Sequence, residues 1–260
     1  MPHRVGPINW IGLWTLYQRE VNRFLKVHMQ TVAAPVVTTL LFYWVFALAI
    51  GGMRPGIGGV SYLEFLAPGL VMMAISQNAF ANTSSSIIIS KVQGNIVDVL
   101  MPPLSGWELA VGFVFGGVTR GLVVGVVTAI AMAPFVSLSI HDPLAVFVHA
   151  LLAAMLLSLL GLIGGIWAEK FDHIAAVTNF LVTPLSFLSG TFYATADLPP
   201  AFWWLTHLNP FFYMINGFRY GFIGVSDGNI GIGIAVLAGT TGAAWWVCWR
   251  MLATGYKLKA

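Results

Sequence analysis

The chain has 260 residues, 58% hydrophobic and 8% charged, and a mean hydropathy of +0.85. A soluble domain carries about a quarter charged residues, and folding alone cannot keep this much apolar surface from water. The net charge of +3 is 12 scattered Lys and Arg against 9 Asp and Glu, without a phosphate-tracking run, so a soluble enzyme, a disordered chain and a nucleic-acid-binding domain are excluded.

From the N-terminus, charges spread through the first turns of chain predict no cleavable signal peptide. Residues 9–29 then read as an amphipathic helix. Trp10, Leu13, Trp14, Tyr17, Val21, Phe24, Leu25 and His28 recur at offsets of three and four, with Gln18, Arg19, Asn22, Arg23 and Lys26 opposite. Such a helix rests in the headgroup layer, as an anchor, as a partner contact, or as both.

Apolar runs long enough to span a bilayer follow at about 31–51, 65–87, 109–136, 144–168, 174–193 and 230–250. They are continuous rather than alternating, which favours helices over barrel strands. The fold class expected is therefore an all-α integral membrane protein of six transmembrane helices, one domain covering 1–260 with no linker. With both termini inside, Arg4, Arg19, Arg23, Lys26, Lys91, Lys170, Arg250, Lys257 and Lys259 lie on the cytoplasmic side. Only Arg54 and Arg219 fall outside, and Arg120 falls within the third span. The bias of positive charge predicts N-in and C-in.

Two connections are unusual. Between the second and third spans, a short helix over 91–101 places Val92, Ile96, Val99 and Leu100 on one face and Lys91, Asn95 and Asp98 on the other, ended by Pro102-Pro103. An apolar stripe there either folds back on its own bundle or inserts into a soluble partner. The segment 196–227 is too apolar for a loop and too broken for a span. Pro199, Pro200, Pro210, Gly217 and Gly221 interrupt it, and Phe202, Trp203, Trp204, Phe211, Phe212, Tyr213, Phe218, Tyr220 and Phe222 fill it with rings. It reads as an aromatic belt or as a pair of short helices at the extracellular end.

No Gly-Lys dipeptide occurs, so there is no P-loop, and no zinc-protease His-Glu-x-x-His is present. Of the acids, Glu64 and Glu108 alone approach the spans, at their ends, which leaves no intramembrane proton relay. A Ser189–His149 pair has no motif around it, and a channel filter is missing. The chain is expected to hold no metal, to bind no nucleic acid and to be no enzyme.

The stretch FLAPGLVMMAISQNAFANTSSSIIISKVQGNIVDVLMPPLS, from Phe65 to Ser105, resembles the permease subunits of type-2 ABC exporters. The later LSGTFYATADLPPAFWWLTHLNPFFYMINGFRYGFIG does so too. Ala67-Pro68-Gly69, Asp197-Leu198-Pro199-Pro200 and Leu208-Asn209-Pro210, in that order, carry the likeness, which covers nearly the whole chain. Within the superfamily the match is to bacterial inner-membrane permeases of the YadH type, and more distantly to the nodulation-factor exporter permease NodJ.

This resemblance implies a homodimer in the bacterial inner membrane. Two separate ATP-binding cassette ATPase subunits would hold ATP and Mg, so that this chain binds no cofactor itself. It makes 91–101 a coupling helix, with Val92, Ile96, Asp98, Val99 and Leu100 at the ATPase, and 196–227 an extracellular re-entrant hairpin carrying Trp203, Trp204, Asn209, Pro210 and Phe211. Charging Ile96 or Val99 is then expected to release the ATPase and spare the fold.

Two polar stripes are candidates for a substrate pathway. In the second span Asn78, Asn82 and Ser85 share a face beside Gln77 and Ser86; in the fifth, Asn179, Thr183 and Ser186 do so. They face either other helices or an aqueous path, since lipid would penalise them. Gly117, Gly121 and Gly125 form a ladder suited to helix packing, and Arg120 beside it would snorkel or pair with a carbonyl. Uncharged stripes in apolar surroundings suit a lipid, a lipid-linked sugar or an amphipathic drug. A passive channel or scaffold without an ATPase is the alternative.

Overall fold

A computed structural model describes residues 8–51, 59–194 and 199–258. Arg4, Arg54 and Lys259, part of the charge bias, and residues 195–198 of the aromatic segment lie outside the described residues. The described residues are helical, without a strand. In chain order, α1 spans Trp10–Lys26, and a π-helical turn Met29–Ala33 leads into α2, Ala34–Ile50. Next come α3, Tyr62–Val92, the single turn α4, Ile96–Leu100, and α5, Gly106–Met132. α6 spans Pro143–Trp167; α7, Phe171–Val177, a π turn Thr178–Val182 and α8, Thr183–Phe187, then run on as one piece. The chain ends with α9, Pro200–Leu208, α10, Pro210–Ile223, and α11, Ile230–Thr254.

Five of these helices are long and apolar enough to cross a membrane: Met29–Ala49, Tyr62–Val92, Gly106–Met132, Pro143–Trp167 and Ile230–Thr254. The fifth expected span, 174–193, is shorter than its sequence suggested. Its helical course runs from Phe171 to Phe187, about 26 Å at 1.5 Å per residue, with a π turn in the middle. Gly190, at φ 78°, lies in the turn beyond it.

Helix ends follow from local chemistry. Ser61 accepts from the Glu64 amide while Glu64 accepts from the Ser61 amide, and Ser105 with Glu108 repeats the box on α5. The two acids at span ends are therefore caps. Asp142 caps α6 ahead of Pro143, Asn209 accepts from the Phe211 amide to start α10, and Gly224 and Gly255 end α10 and α11 in the left-handed conformation.

The core is α3, held between α5 and α6 and closed at one end by α10. Small residues set these approaches. A Cβ on Gly121 would stand 2.8 Å from the Ile75 carbonyl, and one on Gly165 3.0 Å from that of Ser84. The glycine ladder of α5 is thus a packing surface against α3, the use its spacing suited.

Charge and polar contacts gather several chain segments at one end of the bundle. The Asn9 amide donates to Glu108 at 2.6 Å, Lys91 Nζ donates to the Ile166 and Ala168 carbonyls, and Lys257 pairs with Glu169 at 2.8 Å. In that exposed pair the Lys257 hydrogen bond and charge hold the Glu169 carboxyl below the usual carboxylate range.

The short connection differs from its sequence reading. α3 continues to Val92, so Lys91 and Val92 belong to the long helix; Gly94, at φ 75°, breaks it, and only the turn Ile96–Leu100 remains as a separate element.

Candidate functional site

Three polar arrangements stand out from the apolar bundle. The first is a cleft of about 550 Å³ between the start of α2, the middle of α3 and the α7–α8 run. Its walls are Gln30, Thr38, Thr39 and Phe42 on one side, and Ile174, Thr178, Val182 and Thr183 on the other. Its floor is Leu70, Met73, Gln77, Asn78, Ser84 and Ser85 of α3. Most hydroxyls here are satisfied within their own helix: Thr38 by the Ala34 carbonyl, Thr39 by Pro35, Ser84 by Phe80, Thr178 by Ile174. The amides of Gln30 and Gln77 make no side-chain hydrogen bond among the described residues, so they are the polar groups this cleft offers to an occupant. No charged side chain lines it.

The expected pathway stripes divide on this geometry. Gln77, Asn78, Ser85 and Thr183 line the cleft. Asn82 does not: it is fully buried, and its oxygen accepts from Arg23 at 3.1 Å. Asn179 is exposed away from the cleft, and Ser186 is buried with its hydroxyl on the Val182 carbonyl. The π turn accounts for the fifth-span stripe coming apart, because it rotates residues before and after it out of the 3.6-residue register on which the stripe was drawn.

The second arrangement clamps α1 to α3. Glu20 is completely buried and accepts from Arg23 at 3.0 Å, Arg19 at 3.3 Å and the Ser86 hydroxyl at 2.8 Å. Arg23 also donates to the Asn82 carbonyl at 2.6 Å and to Ser85 at 3.1 Å. Gly116 of α5 makes the room, since a Cβ there would lie 2.5 Å from that of Glu20.

The buried face of α1 is therefore Leu16, Glu20 and Phe24, while Trp10 and Trp14 of the expected apolar face are exposed at 68% and 62%. Glu20 escaped the sequence reading. Its signal was the spacing of four on either side, to Leu16 and Phe24, which puts an acid on a stripe where it can persist only when paired. One helical step deeper, Arg120 is buried and donates to Asn78 Oδ1 at 3.0 Å. Of the two expected arrangements it takes the second, its carbonyl being that of the Asn78 side-chain amide rather than of the backbone. Its Nε and the Asn82 Nδ2 are buried donors without an acceptor among the described residues.

The third arrangement joins the two sequence stretches singled out above. Arg219 of α10, counted from sequence as an outside charge, is 3% exposed and threads into the core. Its guanidinium donates to the Phe65 carbonyl at 3.1 Å and to Gly190 at 2.8 Å, and lies 3.6 Å over the Phe65 ring. Gly69 keeps the space, because a Cβ there would meet the guanidinium at 3.2 Å. The Ala67-Pro68-Gly69 motif and the turn through Gly190 are thus two sides of one arginine socket.

In the aromatic segment, Asn209 is buried at the break between α9 and α10 and donates to the Leu185 carbonyl at 2.8 Å. Phe211 is buried, Pro210 opens α10, and Trp204 is exposed; the Trp203 side chain lies outside the described residues. His149 and Ser189 form no pair. His149 bonds the Ala145 carbonyl at 2.8 Å, and Ser189 bonds the Ser186 carbonyl and Thr191.

At the α4 turn, Ile96 and Val99 are 8% and 5% exposed and belong to the chain's own core, with Leu100 partly buried against it. The outward apolar side chains are Val92, Val97 and Met101, beside an exposed Asp98. Charging Ile96 or Val99 therefore disturbs the fold first. The expected stripe comes apart at Gly94: Val92 turns outward at the end of α3, and Ile96 and Val99 turn inward.

A family model described as ABC-2 type transporter matches residues 12–223. The inner membrane transport permease YadH of Escherichia coli (strain K12) is 40% identical over 252 residues, covering 96% of this chain and 98% of the relative. Nodulation protein J of Neorhizobium galegae is 22% identical over 220 residues, 84% of this chain and 83% of its own length. The Rhizobium meliloti (strain 1021) nodulation protein J is 23% identical over 235 residues, 88% and 87% of the two chains.

Proposed function

This chain belongs to the ABC-2 type transporter family and is a multi-pass permease of the inner membrane, and we propose that it forms the substrate pathway of an ATP-driven exporter. It works as a homodimer, with two separate ATPase subunits that bind ATP and Mg. Permease subunits of this family are not enzymes themselves; hydrolysis belongs to the partner.

The observation that carries this reading is the construction of the α4 turn. Ile96 and Val99 root it in the bundle, while Val97 and Met101 are left exposed at 54% and 75%. A rooted element with an outward apolar face transmits displacement in both directions: a partner that grips Val97 and Met101 moves α3 and α5, between which the turn is strung. ATP binding changes the partner's shape, and the permease shifts between its two openings by linkage.

The end of the bundle bearing α1, α4 and the C-terminus faces the cytoplasm in this reading, in line with its lysines and arginines. The α7–α8 run completes a sixth crossing, and α9–α10 enter and leave from the outer side, with Asn209, Pro210 and Phe211 at the bend and Trp204 near the headgroups. Cargo occupies the cleft on α3. Its uncharged amides and apolar walls suit an amphipathic molecule such as a lipid, a lipid-linked sugar or a drug.

The test is a pull-down of the ATPase subunit by the permease carrying Val97→Asp and Met101→Asp. Loss of the ATPase with an unchanged melting temperature is expected. Undiminished binding would contradict the coupling role.

A further inference from the structure

A second cleft, about 710 Å³, opens beneath α1 on the far side of the Glu20 clamp. α1 contributes Arg19, Asn22, Arg23 and Lys26 to its wall, and the end of α3 contributes Ser90 and Gln93. Asp98 and Val99 of the α4 turn line it as well. Glu20, behind this wall, has both oxygens committed to Arg19, Arg23 and Ser86. Lys26 has no hydrogen bond or ion pair among the described residues, and neither has the Asn22 amide. Three cations against two carboxylates leave the cleft with net positive charge and unused donors.

We infer that this cleft binds a phosphate ester, the charged group of an anionic lipid headgroup. Guanidinium forks and an ammonium are the donors that phosphate oxygens accept best. Arg23 spends nearly all its N–H groups on Glu20, Asn82 and Ser85 and supplies a fixed positive charge, while Arg19 and Lys26 supply the free donors. The depth also fits. Trp10, Trp14 and Leu25, all exposed on α1, seat the helix at the acyl boundary and leave its basic side level with the headgroups. A concave site of this size suits a headgroup better than the flat acidic face of a protein. The inference stands apart from the transport reading, since it requires neither cargo nor ATPase.

The test uses the full chain in a neutral detergent, titrated with short-chain phosphatidylglycerol, with short-chain phosphatidylcholine, and with inorganic phosphate, and read by native mass spectrometry and by melting temperature. Phosphatidylglycerol is expected to bind and stabilise, and phosphatidylcholine to do so at least roughly tenfold less well. Arg19→Gln with Lys26→Gln weakens the phosphatidylglycerol complex by about tenfold, while Arg250→Gln on α11 leaves it unchanged. Lys26→Gln alone serves if the double variant fails to fold, because Lys26 has no structural partner. Stabilisation by inorganic phosphate to the same extent assigns the site to soluble phosphate; stabilisation by the lipid alone assigns it to the bilayer. Equal binding of the two lipids, or a Lys26→Gln variant that binds phosphatidylglycerol as the parent does, overturns the inference.

Discussion

α2 and α3 are neighbours of opposite character. The most apolar window of the span containing α2 has a mean hydropathy of 2.0 and is 17% buried, whereas that of α3 has 1.2 and is 83% buried. In water the order would be reversed. In a bilayer lipid takes the apolar helix, and protein takes the one whose Ser, Thr and Asn side chains need partners. The cleft lies at the seam between the two kinds of helix: its floor belongs to the packed core, and its walls, α2 and the α7–α8 run, have little protein behind them. The walls can move while the floor stays.

Substitutions on the core side should unfold the protein, and those on the cleft side should change only transport. The largest effect is expected for Arg219→Met, which leaves the Phe65 and Gly190 carbonyls without their donor and empties the socket under Gly69. A loss of about 3 kcal/mol is expected, read as a lower melting temperature in detergent. Wild-type stability would break the contrast at its strongest point.

Glu20→Gln comes next. It removes the countercharge of Arg23, and because Arg23 keeps some access to water the cost is set at about 2 kcal/mol, below that of a fully buried pair. Limited proteolysis after Lys26 should speed up as α1 lifts from α3. Ile96→Asp, which buries a carboxylate in the core, is expected to cost a similar ~2 kcal/mol, and differential scanning fluorimetry should separate it from the thermally silent Val97→Asp. A thermal effect as small as that of Val97→Asp belongs to Gln77→Ala, under about 0.5 kcal/mol because its amide has no partner to lose among the described residues, while the initial rate of cargo export falls several-fold. A large melting shift for Gln77→Ala would place that amide in the core and erase the distinction.

What could be read without coordinates follows the same division. Spans were legible because a bilayer demands long apolar runs. Four long helices lie within a few residues of their expected limits, as Pro143–Trp167 against 144–168 illustrates. The family was legible in Ala67-Pro68-Gly69 and Asn209-Pro210, although the reason for the first motif, space for Arg219, was not. Facing was the hard part. Helical spacing groups Val92, Ile96, Val99 and Leu100 but does not say which side meets protein, and in the fold Ile96 and Val99 turn inward. Asn179 was misassigned because a π turn carries no clear sequence mark. Arg219 was counted as an outside charge and Glu20 went unnoticed, since burial of an ion depends on partners far away in the chain.

The central claim is that this permease moves its cargo only when a partner works on the α4 turn. Proteoliposomes holding a fluorescent lipid-like reporter measure this directly, with the permease alone, with its ATPase subunit, and with the Val97→Asp, Met101→Asp variant plus the ATPase. Movement against the gradient is expected only for the unmodified pair supplied with ATP. Uphill movement by the permease alone, or undiminished movement by the variant, would contradict it.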